Sequence, residues 1–226
     1  MKRHLFSVFP GIAMLAFVFL HAIGSASARH RHSSPSAAGD FTYYMLSLSW
    51  SPAFCLSSPG AAECGGPRGF GFIVHGLWPQ NEQGWPEHCD VHRPVPEDVV
   101  RSIVDLMPAR GLVYHEWSAH GTCSGLEPAE YFALVRRAYA SIKIPQELTG
   151  PTRPIEESPA AVAGAFLHAN PRLAPETVVV SCTGQGAPRL REVHICLARD
   201  LTPRACSAEA LRGACKAPQL IIPPVR

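Results

Sequence analysis

The sequence lacks the motifs that assign a chain to several common enzyme classes. It has no Gly-x-Ser-x-Gly segment, so the nucleophile turn of serine hydrolases is missing. It has no Cys-x-x-Cys pair, which argues against a zinc ribbon and against a thioredoxin-like redox site. It shows no internal repeat, and after the first 28 residues no apolar run is long enough to span a membrane. Any function must therefore come from a more local pattern.

The N-terminus has the order of parts expected of a secretory signal. A basic start, Met1 to His4, precedes a largely apolar stretch over 5–23, and Ser25-Ala-Ser-Ala28 supplies an A-x-A cleavage site. The alternative is an uncleaved membrane anchor, since the apolar stretch is nearly long enough to cross a bilayer. The well-placed A-x-A site favours cleavage after Ala28. We therefore expect a signal peptide over 1–28 and a periplasmic or secreted protein without a membrane segment.

The remaining chain is neither strongly basic nor strongly acidic. The whole sequence carries a formal charge of +2, and loss of Lys2 and Arg3 with the signal lowers it to 0. A protein of this charge that handles nucleic acid does so through a local site and not through a broad basic surface. The small polar residues over 29–39 predict a disordered leader, which leaves one domain over 40–226.

Cysteine usage also fits an exported protein. Eight cysteines follow the signal, and an even number in an oxidising compartment indicates four disulfides. Eight cysteines allow 105 pairings, so their number and spacing do not fix the partners.

The hydrophobic pattern mixes helices and strands without a regular βαβ rhythm, which predicts an α+β fold. Long stretches rich in Gly and Pro, over 55–71, 80–96 and 144–157, predict loops. The predicted strands cover 41–50, 72–74, 177–182 and 190–197, and the predicted helices cover 96–107, 114–120, 128–142 and 159–168.

Two short segments, 72–79 and 115–123, concentrate the residues that suit proton transfer near neutral pH. The first holds His75 and Trp78, and the second holds His115, Glu116 and His120. In a helix, Glu116 and His120 lie on one face at i and i+4, so the carboxylate can orient the ring. A zinc motif of the H-E-x-x-H type needs histidines four apart, whereas these are five apart.

Two histidines without a protein nucleophile suit a substrate that carries its own. RNA is such a substrate, because its 2′-OH can attack the neighbouring phosphorus. The plainer alternative is a disulfide-rich structural or inhibitor domain in which the histidines are incidental.

The two segments resemble the active-site segments of the ribonuclease T2 family. The matching residues are His75-Gly-Leu-Trp-Pro79 and His115-Glu-Trp-Ser-Ala-His-Gly-Thr-Cys123, and Leu48-Ser-Trp-Ser-Pro52 and Glu192-Val-His-Ile-Cys196 resemble further parts of the family. The resemblance implies a single α+β domain with a central, mainly antiparallel sheet flanked by helices. It also implies a monomeric endoribonuclease, independent of metal or cofactor, that forms a 2′,3′-cyclic phosphate and hydrolyses it to a 3′-phosphate.

The resemblance also implies roles for single residues. His75 and His120 are the acid–base pair, with His120 favoured as the base, although the sequence does not decide between them. Glu116 supports His120 and the phosphorane, and His115 holds the phosphate. Trp78 and Trp85 stack on a base, with core packing as the alternative for Trp78, and Trp117 belongs to the core. The implied disulfides are Cys89–Cys123, Cys182–Cys215 and Cys196–Cys206, with Cys55–Cys64 as the remaining pair.

The sequence departs from the family pattern at Ala119. The family usually places a lysine directly before the last histidine of the second segment, where it is thought to stabilise charge on the phosphorane. Either another cation replaces it, with Arg68 and Arg93 nearby in sequence, or catalysis is weakened. The alternative function is therefore an exported RNA-binding protein of the same fold with weakened or lost catalysis.

Overall fold

A computed structural model describes residues 37–65, 69–90, 92–184 and 187–225. The predicted signal peptide and most of the predicted leader lie outside these ranges. No helix within them is long and apolar enough to cross a membrane.

The described chain alternates strands and helices in an irregular order. The elements are β1 (Tyr43–Trp50), α1 (Ser51–Ser57), β2 (Phe72–Gln80), α2 (Glu97–Ile103), α3 (Arg110–Ala119), α4 (Pro128–Ala140), β3 (Ile155–Glu157), α5 (Pro159–Ala169), β4 (Val178–Cys182), β5 (Leu190–Leu197), α6 (Ala208–Arg212) and β6 (Leu220–Ile222).

The central sheet has four strands in the order β2-β1-β5-β4, and every neighbouring pair is antiparallel. Strands β3 and β6 form a separate antiparallel pair. The α+β class with an antiparallel sheet, helices and four disulfides is confirmed.

The two faces of the central sheet carry different residues, because side chains alternate along each strand. Leu46 and Leu48 of β1 and Val193 and Ile195 of β5 belong to the main apolar core, together with residues of the helices. The opposite face carries a smaller cluster that includes Met45. Ser47, Glu192 and His194 follow the same alternation onto this second face. Ser47 is fully buried between Gly76 of β2 and His194 of β5.

Two β-bulges interrupt the sheet. In β2, Gly76 pairs with Ser47 and Val74 pairs with Leu48, so His75 is the extra residue. In β5, Arg191 is the extra residue opposite β4. Bulges of this kind redirect a side chain and are frequent beside active sites.

Strand β2 is longer than predicted, since it continues from Phe72 through His75 to Gln80. Pro79 does not end it because β2 is an edge strand, the kind of strand in which proline is tolerated.

Other differences from the predicted elements have local or long-range causes. Helix α1 begins where a stop was predicted, since Pro52 lies in its first turn, a position that proline favours. Helix α3 begins at Arg110, four residues before the predicted start, and Val113 takes part in the core. Strand β3 lies in a predicted loop and depends on its partner β6, more than 60 residues away in sequence.

The four disulfides are Cys55–Cys64, Cys89–Cys123, Cys182–Cys215 and Cys196–Cys206, the pairs that the resemblance implies. The Cys89–Cys123 bond ties the loop after β2 to the turn that follows His120.

Candidate active site

His75 lies at the centre of a network on the second face of the central sheet. Its ring contacts two carboxylates, with Nδ1 2.5 Å from Glu192 Oε1 and Nε2 3.3 Å from Glu116 Oε1. An ionised carboxylate can only accept a hydrogen bond, so Nδ1 carries a proton and donates the hydrogen bond to Glu192. The 3.3 Å contact with Glu116 is an ion pair when the ring is protonated, and Glu116 Oε1 makes no hydrogen bond to the described residues.

The two carboxylates favour the protonated form of His75. Burial alone would lower its pKa, but the contacts and negative charges of Glu116 and Glu192 outweigh burial and raise the pKa to about 10. Burial would raise the pKa of Glu192, yet hydrogen bonds from His194 and His75 hold it well below its usual range. The geometry therefore describes an imidazolium between two acidic side chains.

Glu116 is placed by helix α3 and held by Trp78. Its side chain is 1% exposed, and Trp78 Nε1 donates to Glu116 Oε2 at 2.7 Å. Close approach of β2 to this carboxylate requires Gly76, since a Cβ there would collide with Glu116 Oε2 and with the Trp78 indole.

His120 lies at the end of α3 and favours the neutral form. Burial lowers its pKa, and the charge of Glu116 offsets this only in part. Its Nδ1 is buried without a partner among the described residues, which leaves Nε2 as the nitrogen able to meet a substrate. Two histidines with opposite preferences thus share one site.

Trp78 joins the histidines. The centroid of its ring lies 5.2 Å from that of His75, 5.3 Å from that of His120 and 5.6 Å from that of His194. These contacts place Trp78 inside the site. Its side chain is only partly buried. Its stacking on a base stays a prediction.

The remaining predicted residues differ in position. His115 is 65% exposed, and its Nε2 lies 3.9 Å from Glu116 Oε1, so it stands at the open edge of the network. Trp85 is half exposed in the loop after β2, and no aromatic or hydrogen-bonded contact joins it to the histidines within the described chain. Trp117 is buried in the main core, as expected.

Ala119 brings no charge to the site, and Arg93, one of the two candidate cations, pairs with other residues. Ala119 is 3% exposed, and its carbonyl accepts a hydrogen bond from the backbone N–H of His88. The guanidinium of Arg93 contacts Asp90 and Glu127 and none of the residues around His75. Arg68 lies outside the described residues.

Glu192 and His194 were not among the predicted site residues. His194 Nε2 donates to Glu192 Oε2 at 3.0 Å, so the two oxygens of Glu192 serve two different histidines. The available signal was their spacing: two titratable residues at i and i+2 in a predicted strand share one face. No group of three or more His, Cys, Asp or Glu in the described ranges is arranged to hold a metal ion.

Comparison with known proteins agrees with this arrangement. The sequence matches the Ribonuclease T2 family over residues 41–206. A ribonuclease of Aeromonas hydrophila is 34% identical over 194 residues, which cover 84% of this chain and 88% of the relative. A probable ribonuclease of Haemophilus influenzae is 33% identical over 135 residues, covering 53% of this chain and 50% of the relative.

A solved structure shows the same fold. The RNase-related protein from Calystegia sepium has a TM-score of 0.65 at 22% identity, and the match covers 82% of this chain and 98% of that one. Fold and site together define a small α+β enzyme with paired histidines and carboxylates. The chain belongs to the ribonuclease T2 family, and the endoribonuclease class expected from the sequence is confirmed.

Proposed function

We propose that the protein is an exported endoribonuclease that cleaves single-stranded RNA without a metal ion, through a 2′,3′-cyclic phosphate to a 3′-phosphate. The observation that carries the proposal is the opposite preference of two histidines in contact with one tryptophan. His75 favours its charged form between two carboxylates, and His120 favours its neutral form because it is buried. Such a pair can give and take a proton at the same pH.

The first step is a transphosphorylation. Neutral His120 takes the proton of the 2′-OH, whose oxygen then attacks phosphorus and forms the cyclic ester. Charged His75 gives its Nε2 proton to the 5′-oxygen as the bond from phosphorus to that oxygen breaks. In the second step the two histidines exchange roles, and water opens the cyclic ester to a 3′-phosphate.

Other residues of the site hold the substrate. Oε1 of Glu116, which is buried beside the His75 ring and makes no hydrogen bond to the described residues, can accept a hydrogen bond from a substrate hydroxyl. His115 contacts the phosphate from the open edge of the site, and Trp78 and Trp85 stack on bases.

Export is part of the same proposal. The signal over 1–28, the leader over 29–39 and the catalytic domain over 40–226 describe a protein that matures outside the cytoplasm, in the periplasm or the medium. Four disulfides and bacterial ribonuclease relatives support this location. We propose that the mature protein acts as a monomer on RNA, with no cofactor.

Digestion of RNA in the presence of EDTA tests the proposal. The purified mature protein is expected to cleave RNA between pH 4 and pH 8, with products that first end in 2′,3′-cyclic phosphate and later in 3′-phosphate, as read by mass spectrometry. DNA of the same sequence should stay intact, because it lacks the attacking hydroxyl. RNA bound without cyclic-phosphate product would instead support the RNA-binding alternative. Activity that EDTA abolishes would contradict the mechanism.

The pH profile of kcat/KM tests the assignment of acid and base. Activity should rise as His120 loses its proton below the usual histidine range, and fall as His75 loses its proton near pH 10. Glu192→Gln removes a negative charge from His75, so its pKa falls and the high-pH limb should move to lower pH by about one unit or more.

Glu157→Gln, on the exposed strand β3, is the control and should leave both limbs in place. If the high-pH limb stays fixed in Glu192→Gln, His75 is not the acid.

A further inference from the structure

The two carboxylates that face His75 carry more negative charge than its ring can balance. Two buried acidic side chains, Glu116 and Glu192, face one imidazolium, and burial favours neutral His120. A phosphodiester brings one negative charge, and its phosphorane brings a second. With Glu116, Glu192 and His75 counted alone, the site carries a net negative charge, so a permanent cation beside it would favour binding of a phosphate.

Among the described residues, Arg191 is the only lysine or arginine whose side chain contacts the network of His75, Glu116 and Glu192. Its guanidinium lies 3.5 Å from Glu192 Oε2, the carboxylate that also holds His75. The bulge explains this contact. In a regular strand Arg191 would point away from the face that carries Glu192, whereas a bulge redirects the side chain of its extra residue, and the guanidinium does reach the Glu192 carboxylate.

The donors of Arg191 are free of other hydrogen bonds to the described part of the chain. Its side chain makes no hydrogen bond within the described ranges and is 63% exposed, so it can move toward a ligand. An exposed ion pair at this distance holds the guanidinium only weakly. The planar guanidinium offers paired donors that match two phosphate oxygens.

We propose that Arg191 binds the scissile phosphate of RNA and stabilises the charge that develops on its non-bridging oxygens. This inference rests on the proposed function and names the residue that supplies the missing charge. His115 contacts Glu116 and Arg191 contacts Glu192, and these are the two carboxylates that hold His75.

The test compares Arg191→Gln with Arg191→Lys and with a matched control, Arg101→Gln. Arg101 is 64% exposed and pairs with Glu97 at 3.7 Å, so it matches Arg191 in exposure and in pairing. We expect Arg191→Gln to lower kcat/KM by roughly tenfold to a hundredfold, less than the 10²–10³ of an enclosed donor. Arg191→Lys should keep most of the activity, because the charge remains, and Arg101→Gln should stay within about twofold of the unchanged enzyme.

Inhibition by inorganic phosphate separates direct contact from an indirect effect through Glu192. Arg191→Gln should weaken phosphate inhibition and leave the high-pH limb of kcat/KM close to its original position. A marked movement of that limb, with unchanged phosphate inhibition, would mean that Arg191 acts only on the Glu192–His75 pair and would overturn the proposal. Equal rates for Arg191→Gln and Arg101→Gln would also overturn it.

Failure of the proposed function gives a different result. In that case the unchanged protein forms no cyclic-phosphate product, whereas failure of the inference alone leaves an active enzyme that is insensitive to Arg191→Gln.

Discussion

Replacement of either His75 or His120 by alanine is expected to lower kcat/KM on RNA by roughly 10²–10⁴-fold. Each variant removes one of the two groups that move a proton in the first step, so the remaining histidine cannot complete it. Initial rates of cyclic-phosphate formation measure the effect, with circular dichroism and thermal unfolding to show that the fold is kept.

His168→Ala is the matched control for these variants. His168 lies exposed near the end of α5, and its loss should leave the rate unchanged. An alanine variant of His75 or His120 that keeps activity within a few-fold of the unchanged enzyme would exclude that histidine as acid or base.

Gly76→Ala is expected to disable the site without removing any reactive group. The added Cβ would collide with the carboxylate of Glu116 and with the indole of Trp78, so both side chains must move. A displacement of about 1 Å in a catalytic group can lower the rate by about 10²-fold. Forced repacking of a filled interior also costs about 1–3 kcal/mol of stability.

Gly164→Ala separates the steric effect from a general effect of replacing glycine. Gly164 lies in α5 with open space around its Cβ position, so alanine there should stabilise the protein by about 0.5–1 kcal/mol and leave the rate unchanged. Measurement of kcat/KM and of denaturant unfolding for both variants distinguishes a steric effect at Gly76 from a general effect of replacing glycine. Full activity in Gly76→Ala would show that Glu116 and Trp78 need not be held where the structure places them.

The parts of the site that the sequence predicts are those contained in local patterns. His75 and Trp78 share one segment, and Glu116 and His120 lie four residues apart in another, so short-range spacing is enough to select them. Their meeting in space depends on packing of α3 against β2, which the sequence segments do not specify by themselves.

The parts that the sequence misses depend on long-range pairing. Glu192 follows His75 by 117 residues and reaches it only because β1 lies between β2 and β5. The orientation of Arg191 depends on a bulge, which is visible in the pairing register and not in the hydrophobic pattern. Strand β3 was missed for a similar reason, since its strand conformation depends on β6.

Strand β1 sets the distance between β2 and β5 that the side chains of the site must span. His75 and Glu192 stand on strands separated by β1, a distance of about 10 Å between backbones, and their long side chains close the gap above the sheet. The β1 residues on this face beside the bridge are both small, since Ser47 lies opposite Gly76 and His194 and Ser49 lies opposite Glu192. A larger side chain at Ser47 is therefore expected to disturb the contact between His75 and Glu192, although Ser47 takes no part in the chemistry.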